Sequence, residues 1–259
     1  MVYSLPAGLV YRPYLIDLVE NNHCVIAGST GSGKSVLENN IIYALLCTHY
    51  PGKPTNSENK GCKFIFIDPK KVELDIYKNL PHTLYYADNM PDIEQVFVNL
   101  RAIIDNRLQT MKKQRVRKTQ ETTIYIFIDE IVDIVENKTY GKKIINMLVD
   151  CISISRAAGC FFVISSQAPN RRTLIPGIIL NANCRVGLYC NSPIESRQIV
   201  GDNLACELPL HGKAVVNQDI NRYYIEIPMI YDNDIINIVR FWEKQHSITN
   251  YFKHRKNRL

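Results

Sequence analysis

A glycine-rich octapeptide near the amino end of the chain carries the residue types that bind phosphate. It reads G-S-T-G-S-G-K-S and matches the pattern G-x-x-x-x-G-K-[ST] in full. Its members are Gly28, Ser29, Thr30, Gly31, Ser32, Gly33, Lys34 and Ser35. Glycines let the backbone point its N–H groups at phosphate oxygens, and the start of a following helix adds positive charge. The motif predicts a P-loop that binds ATP, with Lys34 on the β- and γ-phosphates and the Ser35 hydroxyl on Mg²⁺.

A pair of acids follows a second apolar run and could complete the site. Asp129 and Glu130 come directly after Ile124–Ile128. We expect Asp129 to hold Mg²⁺ and Glu130 to polarise the attacking water, so that the chemistry is ATP hydrolysis. An acid pair in this position can also cap a helix. Asp68 is a competing candidate for the metal acid, but it lacks an adjacent carboxylate, so it is expected either beside the site or capping the next helix.

Short β-branched and aromatic runs, bounded by turn residues, indicate the strands that position these groups. They are Cys24–Ala27, Lys63–Ile67, Ile124–Ile128, Phe161–Ser165, Arg185–Tyr189, Lys213–Val216 and Tyr223–Ile227. The first five have the character of buried parallel strands, and the last two of antiparallel additions at the edge. Helical patterns alternate with them, notably Pro91–Met111 and Asp232–Gln245, whereas His49–Gly61 has the composition of an exposed loop. An α/β fold follows, with a mostly parallel sheet flanked by helices.

Composition limits the class of protein further. The chain has 259 residues, enough for one α/β domain, and 31 basic against 25 acidic residues, an excess of +6 that permits a polyanionic partner. Its eight cysteines form no C-x-x-C pair, which favours free thiols in a reducing cytoplasm. No apolar run reaches the roughly 18 residues that cross a bilayer, so we expect a cytoplasmic chain without direct membrane insertion.

Five stretches, in this order, together resemble the FtsK/SpoIIIE/HerA-type DNA-pumping ATPases over residues 22–214. They are HCVIAGSTGSGKSV, FIFIDPKKVELDIYKNLPH, IFIDEIVDI, SRAAGCFFVISSQAPN and SPIESRQIVGD. The resemblance implies a RecA-like P-loop NTPase that forms a homo-hexameric ring around duplex DNA and moves it by hydrolysing ATP. Residues 1–259 would be one such motor domain, with a core over about 22–230 and a carboxyl-terminal helix and basic tail over about 232–259.

The resemblance also implies roles for two residues outside the phosphate site. Gln167 matches a sensor glutamine that couples the γ-phosphate to the position of a loop. Arg156 matches an arginine that reaches the nucleotide of the neighbouring subunit, where a cation supplied in trans stabilises the transition state. A helix-end arginine that satisfies carboxyl-terminal carbonyls is the alternative interpretation of Arg156.

DNA contact in the family comes from two loops, and the corresponding residues here are predicted to bind phosphates without reading sequence. The first loop offers Asn170, Arg171 and Arg172, and the second offers Ser192, Ser196 and Arg197. The sequence departs from the family pattern at Ala168, where arginine is usual, and at Pro193, where lysine is frequent. These changes remove positive charge from the DNA-contacting loops.

The sequence is compatible with three functions. The first is an ATP-driven translocase of double-stranded DNA, as in chromosome segregation or conjugative transfer. The second is a secretion or conjugative coupling ATPase that acts on a protein or a relaxase-bound single strand. The third is a nucleotide-dependent tether that barely hydrolyses ATP, against which Glu130 argues. The chain is expected to be an excised motor or a compact relative from a plasmid, conjugative element or phage, and a monomer in isolation is compatible with each.

Overall fold

The computed structural model describes residues 23–52, 61–218 and 220–256. Within this part of the chain nine strands form one sheet. They are β1 (Cys24–Ala27), β2 (Tyr50–Pro51), β3 (Gly61–Ile67), β4 (Thr83–Ala87), β5 (Thr123–Ile128), β6 (Cys160–Ser166), β7 (Cys184–Gly187), β8 (Lys213–Gln218) and β9 (Asn221–Glu226). The α-helices are α1 (Lys34–Thr48), α2 (Met90–Gln114), α3 (Ile131–Val135), α4 (Gly141–Ile154), α5 (Pro176–Ile179), α6 (Pro193–Val200), α7 (Leu204–Glu207) and α8 (Asp232–Lys256).

The strand order places the phosphate loop near the middle of the sheet. The order is β2-β3-β5-β6-β1-β7-β8-β9, with β4 also paired to β3. Strands β1 to β7 pair in parallel, and β8 and β9 add to β7 in antiparallel fashion, as the sequence predicts. The carboxyl ends of β3, β5, β6 and β1 therefore lie side by side at one edge, where α/β sheets bind their ligands.

Both faces of the central strands β1, β5 and β6 are buried, which explains why these strands read as continuous apolar runs. On one face, α2 and α4 pack against alternate strand residues such as Ile65, Ile126 and Phe162. On the other, α1 and α8 pack against the intervening residues, including Phe66 and Phe127. Successive side chains of a strand point to opposite faces, so one run of residues supplies both layers.

The helix boundaries follow local signals. Helix α2 begins after Asn89, whose side chain accepts a hydrogen bond from the backbone N–H of Asp92 at 3.1 Å, and Pro91 occupies its first turn. It ends where Arg115 takes a left-handed conformation with φ of 56°. The helix therefore spans Met90–Gln114, slightly beyond the predicted Pro91–Met111.

Two strands and the length of a second helix also differ from the prediction. Strand β2 lies inside the segment expected to be an exposed loop, and residues 53–60 of that segment lie outside the described part. Strand β4 is half-exposed along the edge of β3, so its sequence lacks a continuous apolar run. Helix α8 extends to Lys256, into the predicted basic tail, while residues 257–259 are outside the described part.

The expectation of free thiols agrees with the structure. All eight cysteines are free thiols, and most of them are buried. In the part of the chain that is described, every helix is too short or too polar to span a bilayer.

Candidate nucleotide-binding site

Hydrogen bonds hold the phosphate loop to the end of β6 and to the residues just after β7, the two strands that flank β1. The Gly28 N–H donates to the Ser166 carbonyl at 3.2 Å, and the Ser29 N–H donates to the Tyr189 carbonyl at 2.8 Å. A Cβ at Gly28 would lie 2.7 Å from Leu188 Cβ, so only glycine fits there. Gly33 has φ of 105°, which turns the chain directly into α1. The loop thus precedes a helix amino terminus, as a phosphate site requires.

The polar groups of this loop suit a bound phosphate. Lys34 is buried, and its Nζ donates to the Gly28 carbonyl at 2.9 Å. Burial lowers the pKa of Lys34, whereas the nearby carboxylates of Glu130, Glu38 and Asp129 raise it. The Ser32 hydroxyl is buried without a hydrogen-bond partner among the described residues. A lysine held over the loop and an unpaired hydroxyl inside it fit the phosphates of ATP.

Asp129 directly follows β5, near Lys34 of the phosphate loop, and is positioned by Ser165. The Ser165 hydroxyl donates to Asp129 Oδ1 at 2.9 Å. Burial raises the pKa of Asp129 to about 6, and the Ser165 hydrogen bond opposes that shift. In the described residues no three His, Cys, Asp or Glu side chains converge into a metal cage. Asp129 and Ser35 would instead share Mg²⁺ with phosphate oxygens and water, the arrangement that Mg²⁺ prefers.

Glu130 adopts an unusual backbone conformation, and its side chain lies at the carboxyl ends of the strands, as that of Asp129 does. Its φ is 54°, in the left-handed region that costs a non-glycine residue about 1–2 kcal/mol. Its carboxylate accepts from the Gln167 N–H at 3.1 and 3.2 Å and lies 3.4 Å from Lys70 Nζ. The carboxylate is therefore fixed between β6 and the loop after β3. Strained, over-determined residues of this kind are typical of active sites.

Asp68 has a structural role at the end of β3. It is fully buried, and its two oxygens accept from the backbone N–H groups of Lys71 and Leu74, both at 2.9 Å. These bonds order the turn before the short 3₁₀ segment Asp75–Tyr77. The carboxylate also lies close enough to contribute to the raised pKa of Asp129. Of its two expected positions, Asp68 thus occupies the capping one while remaining a neighbour of the site.

Gln167 connects the phosphate loop with the first predicted DNA loop. The Thr30 hydroxyl donates to Gln167 Oε1 at 3.1 Å. Three residues later, Asn170 Oδ1 accepts from the Arg172 N–H at 2.8 Å, which closes a tight turn. Arg171 and Arg172 are both exposed on that turn. The predicted sensor and the predicted DNA-binding arginines therefore belong to one short, hydrogen-bonded segment.

The second predicted DNA loop lies after β7, and one of its three residues is buried. Arg197 is exposed on α6, where its guanidinium donates to Asn203 Oδ1 at 2.8 Å. Ser192 is the amino-terminal cap of α6 and accepts from the Glu195 N–H at 3.3 Å. Ser196 is wholly buried and donates to the Asp202 carbonyl at 2.6 Å. The expectation that Ser196 contacts DNA is wrong, because a helix and loop cover it.

Arg156 lies at the opposite edge of the sheet from the phosphate loop. It is exposed in the turn between α4 and the start of β6. Gln167, at the nucleotide edge, follows the far end of this seven-residue strand. A strand of that length spans roughly 20 Å, so Arg156 cannot reach the nucleotide of its own subunit. Any contact with nucleotide requires a second copy of the chain.

Sequence reasoning missed several residues at this edge. Lys70 pairs with Glu130, Ser165 holds Asp129, and Glu38 is buried on α1 among these acids. His211 Nδ1 lies 2.6 Å from the Gly31 carbonyl, from a loop more than 170 residues further along the chain. Of these residues, only Lys70 was marked by the sequence, because it directly follows Asp68 and Pro69.

The ion pair of Lys70 and Glu130 gives a testable expectation. Lys70→Met should lower kcat for ATP hydrolysis roughly twofold to fivefold with an unchanged KM, because a partly exposed pair contributes little. Lys71→Met is the matched control, since Lys71 pairs with Asp88, also at 3.4 Å, away from Glu130. Steady-state kinetics of both variants test this. Equal kcat values would show that Lys70 does not position Glu130.

Comparison with known proteins gives a consistent family match. The model of the FtsK/SpoIIIE family matches residues 1–208. Proteins named DNA translocase FtsK are similar: that of Staphylococcus aureus (strain Mu50) is 29% identical over 93% of this chain, and that of Pseudomonas syringae pv. tomato is 26% identical over 90%. In both cases the chain spans only 32% of the relative's length.

Solved structures show the same fold at lower sequence identity. The pCW3 conjugation coupling protein TcpA, a monomer with ATPγS, has a TM-score of 0.75 and 18% identity, over 93% of this chain and 70% of its own. The cytoplasmic domain of the Thermomonospora curvata type VII secretion ATPase EccC has a TM-score of 0.72 and 20% identity, over 85% and 28%.

Proposed function

Since the chain belongs to the FtsK/SpoIIIE family and is a P-loop ATPase, we propose that it is a motor that moves double-stranded DNA by hydrolysing ATP. The observation that carries this proposal is the bonded path from the nucleotide site to exposed cations. Thr30 donates a hydrogen bond to Gln167, and Glu130 accepts one from the Gln167 N–H. The turn that carries Arg171 and Arg172, here called the arginine turn, begins three residues after Gln167. A change at the γ-phosphate can therefore move a DNA-binding turn through the Thr30 and Gln167 side chains.

Each residue of the site has a role in this proposal. Lys34 binds the β- and γ-phosphates, while Ser35 and Asp129 would hold Mg²⁺. When bound, the metal neutralises charge on the phosphates. Glu130 accepts a hydrogen bond from the attacking water and orients it toward the γ-phosphate. Gln167 moves when that phosphate is lost, and its movement shifts the arginine turn.

We further propose that six copies form a ring, with residues 1–259 acting as one motor domain. The position of Arg156 supports this arrangement, because it is exposed at the edge of the sheet remote from its own phosphate loop. In a head-to-tail ring each subunit presents one surface to one neighbour and a different surface to the other. The surface that carries Arg156 can therefore face the nucleotide bound by the adjacent subunit. An arginine supplied in this way would couple hydrolysis to ring geometry.

The direct test is the steady-state ATPase rate with and without long duplex DNA, over a series of salt concentrations. A translocase should be stimulated by DNA, and the stimulation should fade steeply with salt because contacts to phosphates release counterions. Lys34→Ala sets the background rate of the assay. Hydrolysis that is indifferent to DNA at low salt would contradict the proposal.

The arginine turn predicts a specific loss in that assay. Arg171→Gln combined with Arg172→Gln should remove most of the stimulation by DNA and reduce the salt slope by roughly 2, one for each lost phosphate contact. The matched control neutralises Arg101 and Arg240, which are exposed on α2 and α8. If both double variants respond to DNA alike, the turn does not bind DNA.

A second candidate function is a coupling or secretion ATPase that engages a protein or a relaxase-bound single strand. Ala168 and Pro193 favour it, because both remove positive charge that a duplex would need. The structural neighbours named as a conjugation coupling protein and a type VII secretion ATPase are consistent with it. Stimulation of hydrolysis by single-stranded DNA or a protein, but not by duplex, would select this function.

A further inference from the structure

Glu38 is a buried acid that the proposed chemistry does not use. It lies on α1, three residues after Ser35, and is 1% exposed. Residues three apart on a helix share a face, so Glu38 lies on the face that carries the Ser35 hydroxyl. Its Oε1 atom is fully buried and has no hydrogen-bond partner among the described residues.

The surroundings of Glu38 are those of the metal side of the site. The carboxylate of Asp129 and the ammonium of Lys34 are both close enough to interact electrostatically with it, as is Glu73. The Ser165 hydroxyl, which donates to Asp129, also lies beside it. Glu38 thus lies near Asp129 and Lys34, on the helix that also carries Ser35.

A carboxyl group in this position does not help the protein fold. Burying an acid with an unpaired oxygen costs free energy, and an apolar side chain would pack there at no such cost. The neighbours of Glu38 on the buried face of α1, Leu37 and Ile42, are apolar in this way. Residues that break a local rule without a structural gain are expected at functional sites.

We propose that Glu38 is a positioning residue for the divalent metal, accepting hydrogen bonds from water in the shell of the ion that Ser35 and Asp129 bind. Mg²⁺ keeps several of its waters in protein sites, and those waters need acceptors. The inference rests on the proposed nucleotide site but not on DNA translocation.

The test measures binding of a fluorescent ADP with excess Mg²⁺ and with excess EDTA, together with thermal unfolding of the nucleotide-free protein. In Glu38→Val the tightening of ADP binding by Mg²⁺ should fall roughly 10-fold or more, as when acceptors around bound metals are removed. Metal-free affinity should stay within about twofold, and the Tm should be unchanged or higher, because an unpaired buried carboxyl is gone. Glu38→Gln, which keeps an acceptor oxygen, should lie between Glu38→Val and the parent.

A matched control comes from the next residue. Asn39 Oδ1 accepts from the Tyr77 hydroxyl at 2.7 Å, so its partner belongs to the protein. Asn39→Leu should lower the Tm and leave the Mg²⁺ effect intact, the opposite of Glu38→Val. The inference is overturned if both Glu38 variants keep the full Mg²⁺ effect, or if metal-free and Mg²⁺-loaded binding weaken together with a lower Tm. None of these readouts contains DNA, so failure of the translocase proposal would be recognised separately.

Discussion

Lys34→Ala is expected to lower ATP hydrolysis at least about 100-fold, the usual effect of removing one cation or donor from developing charge. The Lys34 side chain is 7% exposed, and its Nζ donates to the Gly28 carbonyl at 2.9 Å, so its position over the phosphate loop is set by the fold. Burial lowers the pKa of Lys34, while three surrounding carboxylates oppose this shift. Alanine leaves the glycine loop in place but removes its only side-chain cation.

The control for Lys34→Ala should match its environment as well as its residue type. Lys63 is partly buried, its pKa is lowered by burial as that of Lys34 is, and its Nζ donates to the Pro81 carbonyl at 2.8 Å. It lies near the start of β3, at the edge of the sheet remote from the phosphates. Lys63→Ala should keep most of the hydrolysis. Equal losses in the two variants would mean that lysine burial stabilises the fold and that Lys34 has no special role.

The sequence predicted the parallel sheet and the phosphate loop well because both depend on local patterns. Strands buried on two faces are continuous apolar runs, and β5 and β6 were recognised within one or two residues. The glycines at positions 28 and 33 follow from a close approach and a positive φ, which the octapeptide pattern encodes directly. The adjacency of the strand ends then follows from parallel topology.

What the sequence could not predict depends on the order of strands across the sheet. Lys70 meets Glu130 only because β3 lies beside β5, and Ser165 meets Asp129 only because β6 lies on the other side. Glu38 was missed because a charged residue within a helix is normally interpreted as solvent-facing. The short strands β2 and β4 were missed because edge pairing needs no continuous apolar run.

Glu130→Gln should reduce turnover roughly 100-fold to 10,000-fold while leaving ATP binding nearly unchanged. Glutamine has almost the same volume, and its amide oxygen can still accept from the Gln167 N–H, as the carboxylate does at 3.1 Å. The contact between β5 and β6 is therefore kept. What is lost is the negative charge that polarises the attacking water, so the defect should appear in kcat and not in nucleotide affinity.

Measuring kcat and nucleotide affinity separately distinguishes this outcome from partial unfolding. Glu136→Gln is the matched control, because Glu136 is exposed at the end of α3, the short helix that Glu130 begins. It should hydrolyse ATP like the parent. If Glu130→Gln keeps its turnover, Glu130 is only the cap of α3, and the chain would be better described as a nucleotide-dependent tether. If ATP affinity falls together with turnover, the hydrogen bond between Glu130 and the Gln167 N–H matters more than the negative charge of Glu130. The principal role of Glu130 would then be to hold Gln167 and not to activate water.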